Sequence, residues 1–274
     1  MATSELSHRD GDTWFLIIGC QRSGTTLMRL VLDCHSRIQC IDEPVSYGVL
    51  SGRAKVPCAG HCLIGLKVPC LTEQLGDETL WDPIFLPEIP NTYARQPLVF
   101  MVRDVRDTIV SMKGLRVAGV PWFESCLTPT LEAKRRTGDF MERYGGDIAA
   151  LDEARYPELA RAALYWRYKV EALHDHDARG FPTDIVRYED LVAAPRAVLT
   201  RVCTFLGVPW EEGLLDHASA AHRGVDGGGM AIGGTNARRP IDSRSTNRWC
   251  TAFSDDEVAE ILRFAGPIQA SLYP

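Results

Sequence analysis

Short unbroken apolar runs, separated by polar stretches, organise this chain. Trp14 to Gly19 is such a run, stopped by glycine, and residues 25 to 35 then place Leu27, Leu30, Val31 and Cys34 at helical spacing. A strand, a loop and a helix are predicted in succession. Leu63 to Leu66 and Leu98 to Val102 are two further continuous runs, the pattern of strands buried on both faces of a parallel sheet. Asp184 to Arg187 reads as a fourth strand, and Ile38 to Cys40 as a short segment at the sheet's rim. Helices are predicted at 104 to 114, 157 to 176, 195 to 206 and 254 to 265, the last opened by Ser254 with Glu257 three residues on, a capping-box pair. The order is α/β with helical inserts. Two stretches predict irregular chain: 77 to 97, which holds Pro83, Pro87, Pro90 and Pro97, and 223 to 240, which holds Gly227-Gly228-Gly229 and Gly233-Gly234. The second reads equally as a mobile lid or as a surface loop.

Composition narrows the function classes. With 274 residues, 45% of them hydrophobic, the chain can bury roughly three quarters of its unfolded surface. No internal repeat and no linker divides it, so one domain over residues 1–274 is expected. Thirty Lys and Arg against 36 Asp and Glu leave a net charge of -6, which argues against nucleic acid as the main partner. The apolar runs fall far short of the ~20 residues that cross a bilayer, and the N-terminal residues lack the apolar core of a secretory signal. No membrane span and a cytoplasmic location are expected. Nine cysteines without a CxxC pair fit reduced thiols better than a disulfide frame. Cys58-Ala-Gly-His61-Cys62 approaches a zinc pattern but lacks a second ligand pair, so no metal is expected.

The first candidate chemistry lies in Gly19-Cys20-Gln21-Arg22-Ser23-Gly24-Thr25-Thr26, between the first strand and helix, with glycines at phosphate-loop spacing. Backbone N–H groups of such a loop cradle a phosphate. A nucleotide triphosphatase carries lysine after the second glycine to reach the β and γ phosphates, but here Thr25 stands there. Arg22 inside the loop, with hydroxyl donors on Thr25 and Thr26, offers charge to a shorter anion. A second constellation follows the strand at 98–102. Arg103 stands at its C-terminal end, where open α/β sheets bind ligands. Ser111 comes two helical turns later, so both can face one side and suit a phosphate monoester. Arg106 and Asp107 read equally well as a solvated ion-pair cluster at a helix start.

These two segments resemble the 5′-phosphosulfate loop and the 3′-phosphate segment of sulfotransferases that use 3′-phosphoadenylyl sulfate (PAPS), and within them the tyrosylprotein sulfotransferase branch. Arg22-Ser23-Gly24-Thr25-Thr26-Leu27-Met28-Arg29 and Met101-Val102-Arg103-Asp104 with Ser111-Met112 carry the resemblance. So does Val186-Arg187-Tyr188-Glu189-Asp190-Leu191, followed by Pro195 and Phe205-Leu206-Gly207-Val208-Pro209-Trp210. The similarity covers about 14–114 and 184–271 and leaves a helical insert at about 115–180 weakly matched. It implies a three-layer fold like that of P-loop nucleotide triphosphatases, with a central, mainly parallel sheet flanked by helices.

The resemblance also implies roles. Arg22, Ser23, Gly24, Thr25 and Thr26 hold the 5′-phosphosulfate, with Arg22 neutralising charge as the sulfuryl group leaves. Arg103 and Ser111 bind the 3′-phosphate, Tyr188 lies near the adenosine, and Arg239 supplies a basic cofactor contact. Glu43, 21 residues after Arg22, stands where the branch carries its catalytic glutamate, and Lys67 matches the lysine that reaches the sulfuryl group. Transfer to a hydroxyl needs such a base and such a cation. Asp42 is the alternative base, since two adjacent carboxylates can raise one another's pKa, and Asp42-Glu43-Pro44 also reads simply as an acidic helix start. The product is adenosine 3′,5′-bisphosphate (PAP), and no metal is required. Val68 and Pro69 follow Lys67, so the histidine base of the small-molecule branch is missing. Val45, Ser46, Tyr47 and Val49 stand where the tyrosylprotein branch places arginines that read acidic peptides, and Gly65 and Leu66 stand where it places a disulfide cysteine. The acceptor is a small-molecule, sugar or peptide hydroxyl, or less readily an amine. Trp81, Phe85, Trp122, Phe123, Tyr144 and Trp166 are candidates for its pocket, although core packing accounts for most of them. Residues 115–150 and 223–240 are expected to close over the site. Two rival readings are a P-loop kinase, which needs lysine at position 25, and a nucleotide-binding protein without chemistry. Oligomeric state is not specified.

Overall fold

A computed structural model of the chain describes residues 13–56, 63–92, 95–222, 230–231 and 234–273. The zinc-like residues Cys58, His61 and Cys62, and half of the glycine-rich stretch, lie outside the described residues. Five parallel strands form the central sheet in the order β2-β3-β1-β6-β9: β1 Thr13–Gly19, β2 Ile38–Ile41, β3 Leu63–Lys67, β6 Leu98–Val102 and β9 Thr183–Arg187. The α/β expectation therefore holds, and the rim segment proves to be the edge strand β2.

Side-chain alternation makes each strand feed two cores. Leu16, Ile18, Ile64, Leu66, Phe100 and Val102 point to one face, where α6 (Pro157–Ala178) and α10 (Asp255–Ala265) cover them. Phe15, Ile17, Val99 and Met101 point to the other, against α1 (Thr25–Leu32) and α8 (Pro195–Phe205). Each such fully buried side chain contributes roughly 1.5–3 kcal/mol. Between the strands run α2 (Glu43–Leu50) and α3 (Val105–Lys113), α7 (Tyr188–Ala193) follows β9, and the chain ends in α9 (Trp249–Ala252), α10 and α11 (Pro267–Leu272). The predicted capping box opens α10: Ser254 Oγ accepts from Glu257 N–H while the Glu257 carboxylate accepts from Ser254 N–H at 2.8 Å. Chain order reverses at β1, whose neighbours are β3 on one side and β6 on the other. That switch point opens a crevice at the strands' C-terminal ends.

One expectation needs correction and another needs completing. Residues 77–97 are not wholly irregular: β4 (Thr79–Asp82) and β5 (Leu86–Pro90) form an antiparallel hairpin. The Asp82 carboxylate accepts from the N–H groups of Ile84 and Phe85 at 2.9 and 2.8 Å and builds its turn. Its prolines are tolerated because a two-stranded ribbon has only edge strands. The insert at about 115–180 is helical as expected, but beyond the helix at 157–176 it carries two that the pattern does not locate, α4 (Thr128–Lys134) and α5 (Gly138–Ala150), after a small hairpin of β7 (Arg116–Val117) and β8 (Val120–Pro121). The seven described cysteines are free thiols. Among the described residues, no helix is long and apolar enough to cross a membrane.

Candidate active site

The loop leaving β1 is shaped by its backbone. Arg22 and Gly24 both lie in the left-handed region, at φ 73° and 97°, so successive N–H groups turn toward one concavity. A non-glycine residue there stores strain of roughly 1–3 kcal/mol, the kind kept at binding loops. At Gly24 a Cβ would stand 2.6 Å from the Tyr188 ring, and at Gly19 (φ 125°) 2.1 Å from the Met101 carbonyl oxygen. Both glycines are therefore required by close approach. Thr72 clamps the loop's base, its hydroxyl accepting from Gly19 N–H at 2.9 Å.

A cavity of about 270 Å³ lies over this loop and α1's start, lined by Arg22, Gly24, Thr25, Thr26, Arg103, Ser111, Tyr188 and Arg239 among others. The predicted phosphate residues are thus brought together from β1, β6, α3, α7 and the chain around 240. Arg22 Nε donates to Ser111 Oγ at 3.0 Å, Arg103 Nη1 donates to the Arg22 carbonyl at 3.0 Å, and the Arg103 guanidinium lies 4.6 Å from the centre of the Tyr188 ring. Trp166 Nε1 donates to the Arg103 carbonyl at 2.9 Å and fixes the strand end. Burial, and then repulsion from Arg103, bring the Arg22 guanidinium down to about 10; Glu43 pulls it back up and Arg248 adds to the lowering. Clustered guanidiniums of this kind favour an anion. The Ser23 hydroxyl is fully buried and finds no hydrogen-bond partner among the described residues. With the turned N–H groups of the loop, it fits the anionic end of a phosphorylated ligand.

Arg239 also lines this cavity, held by the Asp242 carboxylate at 3.0 Å and the Ser245 hydroxyl at 3.1 Å. Asp107 accepts from the N–H groups of Asn247 and Trp249, at 2.6 and 3.2 Å, and so ties this late segment to α3. It is thus a structural anchor rather than part of a solvated pair, while Arg106 pairs with Asp104 at 2.6 Å and lies 3.8 Å from the centre of the Trp249 ring. Asp242, Ser245 and Arg248 line the cavity too, although no spacing signal in the sequence links them to the loop.

Lys67, at the end of β3, is 1% exposed and not the solvent-facing lysine a strand end often carries. Its ammonium donates to Thr26 Oγ1 at 2.8 Å and Asp42 Oδ1 at 2.9 Å, and pairs with Glu43 Oε2 at 2.9 Å. Burial alone would lower its pKa, but Glu43 and Asp42 raise it. Asp42 caps α2 through the Glu43 N–H at 2.9 Å and also accepts from Arg29 at 3.1 Å. Burial would raise this carboxyl, yet Lys67 and Arg29 hold it below the ordinary carboxylate range. Mutual elevation of the two adjacent carboxylates therefore does not occur at Asp42, because cations stand against it. In the sequence Arg29 stands only as the last residue of the loop-and-helix motif, and no spacing there links it to Asp42.

Glu43 is indeed the first residue of a helix, and it also faces a second cavity, of about 370 Å³, lined by Pro44, Tyr47, Gly48, Arg53, Ile84 and Phe85. The Tyr47 hydroxyl donates to Glu43 Oε1 at 3.3 Å, and burial holds that phenol well above its usual range, hence protonated. Of the six candidate aromatics only Phe85 lines this cavity. Trp122 and Trp166 are in the core, Phe123 packs against it, and Trp81 and Tyr144 line a separate cavity beside α4, α5 and α6. Among the described residues, 115–150 lines neither the loop cavity nor the Glu43 cavity, whereas Gly234 to Pro240 wall the former.

Comparison with known proteins agrees with this architecture. Residues 135–212 match the model of the sulfotransferase family, a stretch that includes much of the insert the motifs matched weakly. The chain is 21% identical over 276 residues to a Drosophila melanogaster protein-tyrosine sulfotransferase, covering 90% of this chain and 49% of that protein. It is 22% identical over 289 residues to the Gallus gallus protein-tyrosine sulfotransferase 2, covering 93% and 67%. The chain thus spans about half the length of the fly relative. The sulfotransferase domain from the Synechococcus PCC 7002 olefin synthase superposes with a TM-score of 0.53 at 18% identity, covering 94% of this chain and 96% of that one. A mouse sulfotransferase complexed with PAP gives a TM-score of 0.52 at 12% identity, covering 92% and 83%.

Proposed function

We propose that the chain, similar to the sulfotransferase family and to protein-tyrosine sulfotransferases within it, is a PAPS-dependent sulfotransferase that transfers a sulfuryl group from PAPS to an acceptor hydroxyl with Glu43 as general base. The place of Lys67 carries this reading: one ammonium meets Thr26 of the phosphate loop and Glu43 of the neighbouring cavity. Donor and acceptor sides therefore meet at a single buried cation.

In this assignment the loop N–H groups with Ser23, Thr25 and Thr26 hold the 5′-phosphosulfate. Arg103, Ser111 and Arg239 hold the 3′-phosphate, and Tyr188 the adenosine. When bound, PAPS supplies a sulfuryl group whose bond to the 5′-phosphate breaks as the acceptor oxygen bonds to sulfur, leaving PAP. Glu43 receives the acceptor's hydroxyl proton on a carboxylate oxygen, oriented by Tyr47 and Lys67. Arg22 and Lys67 set positive charge where negative charge develops. The mouse sulfotransferase bound to PAP supports the donor assignment. Thr25, where a kinase carries lysine, disfavours ATP.

Thermal unfolding with PAP, beside ATP and magnesium, tests the donor. At a hundredfold excess over Kd, PAP stabilises by ~2.7 kcal/mol, a rise of roughly 5–11 °C for a chain this size. The rise should be largely lost in Arg103→Ala. A rise with ATP and magnesium alone refutes the reading.

A further inference from the structure

The cavity beyond Glu43 limits the acceptor, and on the reading above we infer that the acceptor is a compact hydroxyaryl carboxylic acid: hydroxyl at Glu43, ring against Tyr47, Ile84 and Phe85, carboxylate at Arg53. At about 370 Å³ the cavity is at the small end for ligand sites. Its body is apolar. Tyr47 and Phe85 lie nearly parallel, ring centres 6.0 Å apart and planes 11° from each other, and Ile84 and Phe85 remain 40% and 42% exposed. Apolar surface left open beside a catalytic carboxylate is surface for an apolar ligand body, and flat aromatic walls suit a ring.

Charge sets the remainder. Among the described residues lining the cavity, only Glu43 and Arg53 are charged. Glu43 is matched by Lys67, whereas no described carboxylate pairs with Arg53, whose Nε donates to Ser51 Oγ at 2.8 Å. One guanidinium matches one carboxylate, in a fork geometry that suits it. A peptide carrying several acidic residues would need several cations, and the described lining of the cavity supplies one, Arg53. The transfer is that given above: the phenolic proton passes to Glu43, the new bond joins phenolic oxygen to sulfur, and the product is an aryl sulfate that keeps its carboxylate.

The experiment measures PAPS-dependent sulfation of 4-hydroxyphenylacetate, its methyl ester and a tyrosyl peptide flanked by aspartates, in wild type, Arg53→Gln and Phe85→Ala. PAP-induced thermal stabilisation is read on the same proteins. The acid should exceed the ester by about fivefold in kcat/KM, the scale of one exposed ion pair. That ratio should fall toward one in Arg53→Gln or at high salt, and Phe85→Ala should raise KM for acid and ester alike while their ratio persists. Equal turnover of acid and ester in wild type, a ratio unmoved by Arg53→Gln, or preference for the peptide overturns the inference. Stabilisation by PAP without sulfation of the acid overturns the acceptor inference alone. Absence of stabilisation overturns the donor reading beneath it as well.

Discussion

Replacing each of the adjacent carboxylates by its amide separates their roles. Asp42 is 7% exposed and accepts from Arg29, Lys67 and the Glu43 N–H at 3.1, 2.9 and 2.9 Å. Asp42→Asn removes the charge that two cations share, and both are essentially without solvent access. Breaking a buried pair in this way costs about 3–5 kcal/mol, equivalent to a fall of roughly 6–20 °C in Tm at about 2–4 °C per kcal/mol. Glu43 differs, because its side chain is 18% exposed and Lys67 keeps Asp42 and Thr26 when it is changed. Glu43→Gln should therefore cost less than Asp42→Asn, roughly 1.5–3 kcal/mol for one charge-assisted bond. As the base, it should lose about 10²–10⁴-fold in turnover with PAP stabilisation retained. Thermal unfolding with and without PAP, beside initial rates of sulfate-ester formation at saturating PAPS, measures both effects. The reasoning is refuted by the reverse pattern: Asp42→Asn folded as firmly as wild type but inactive, and Glu43→Gln active.

Other consequences are equally direct. Gly19→Ala should lose roughly 3 kcal/mol or more by urea unfolding, since the added methyl meets the Met101 carbonyl at 2.1 Å in a left-handed backbone; a wild-type midpoint would contradict the close approach of β1 to β6. Acid should weaken the fold in two steps. Burial brings His176 from 6.5 down to about 4, and Glu73, which burial alone would raise, is brought from 4.5 to about 2 by Lys134 and Lys169. Groups depressed in the folded state stabilise it fully above their unfolded values and lose that contribution as pH falls. The histidine contribution therefore fades between about 6.5 and 4, and the glutamate contribution between about 4.5 and 2. Urea midpoints across this range should decline throughout, and His176→Phe should flatten the upper part; an unchanged slope there would exclude His176 as its source.

Local pattern by itself determined the sheet and the phosphate loop. Unbroken apolar runs at 14–19, 63–66 and 98–102 can be buried only on both faces, and the loop's glycines, Arg22 and threonines are contiguous, so their chemistry is visible without knowing the fold. Strand-end position and helical spacing extended this to Arg103 and Ser111, and resemblance to Tyr188, and the structure gathers all three around one cavity. Proline count misled at 77–97, because the Asp82 turn and the pairing of β4 with β5 depend on contacts that composition does not show. Tertiary structure alone sets the surroundings of Asp42 apart from those of Glu43. Neighbours in the chain, they meet different surroundings because Arg29 comes from α1 and Lys67 from β3. The helix that begins at Glu43 leaves it facing a cavity shared with Phe85, 42 residues away. Burial and long-range charge pairing set which carboxylate is held as a counter-ion and which faces a cavity, and both arise only once the strands and helices pack.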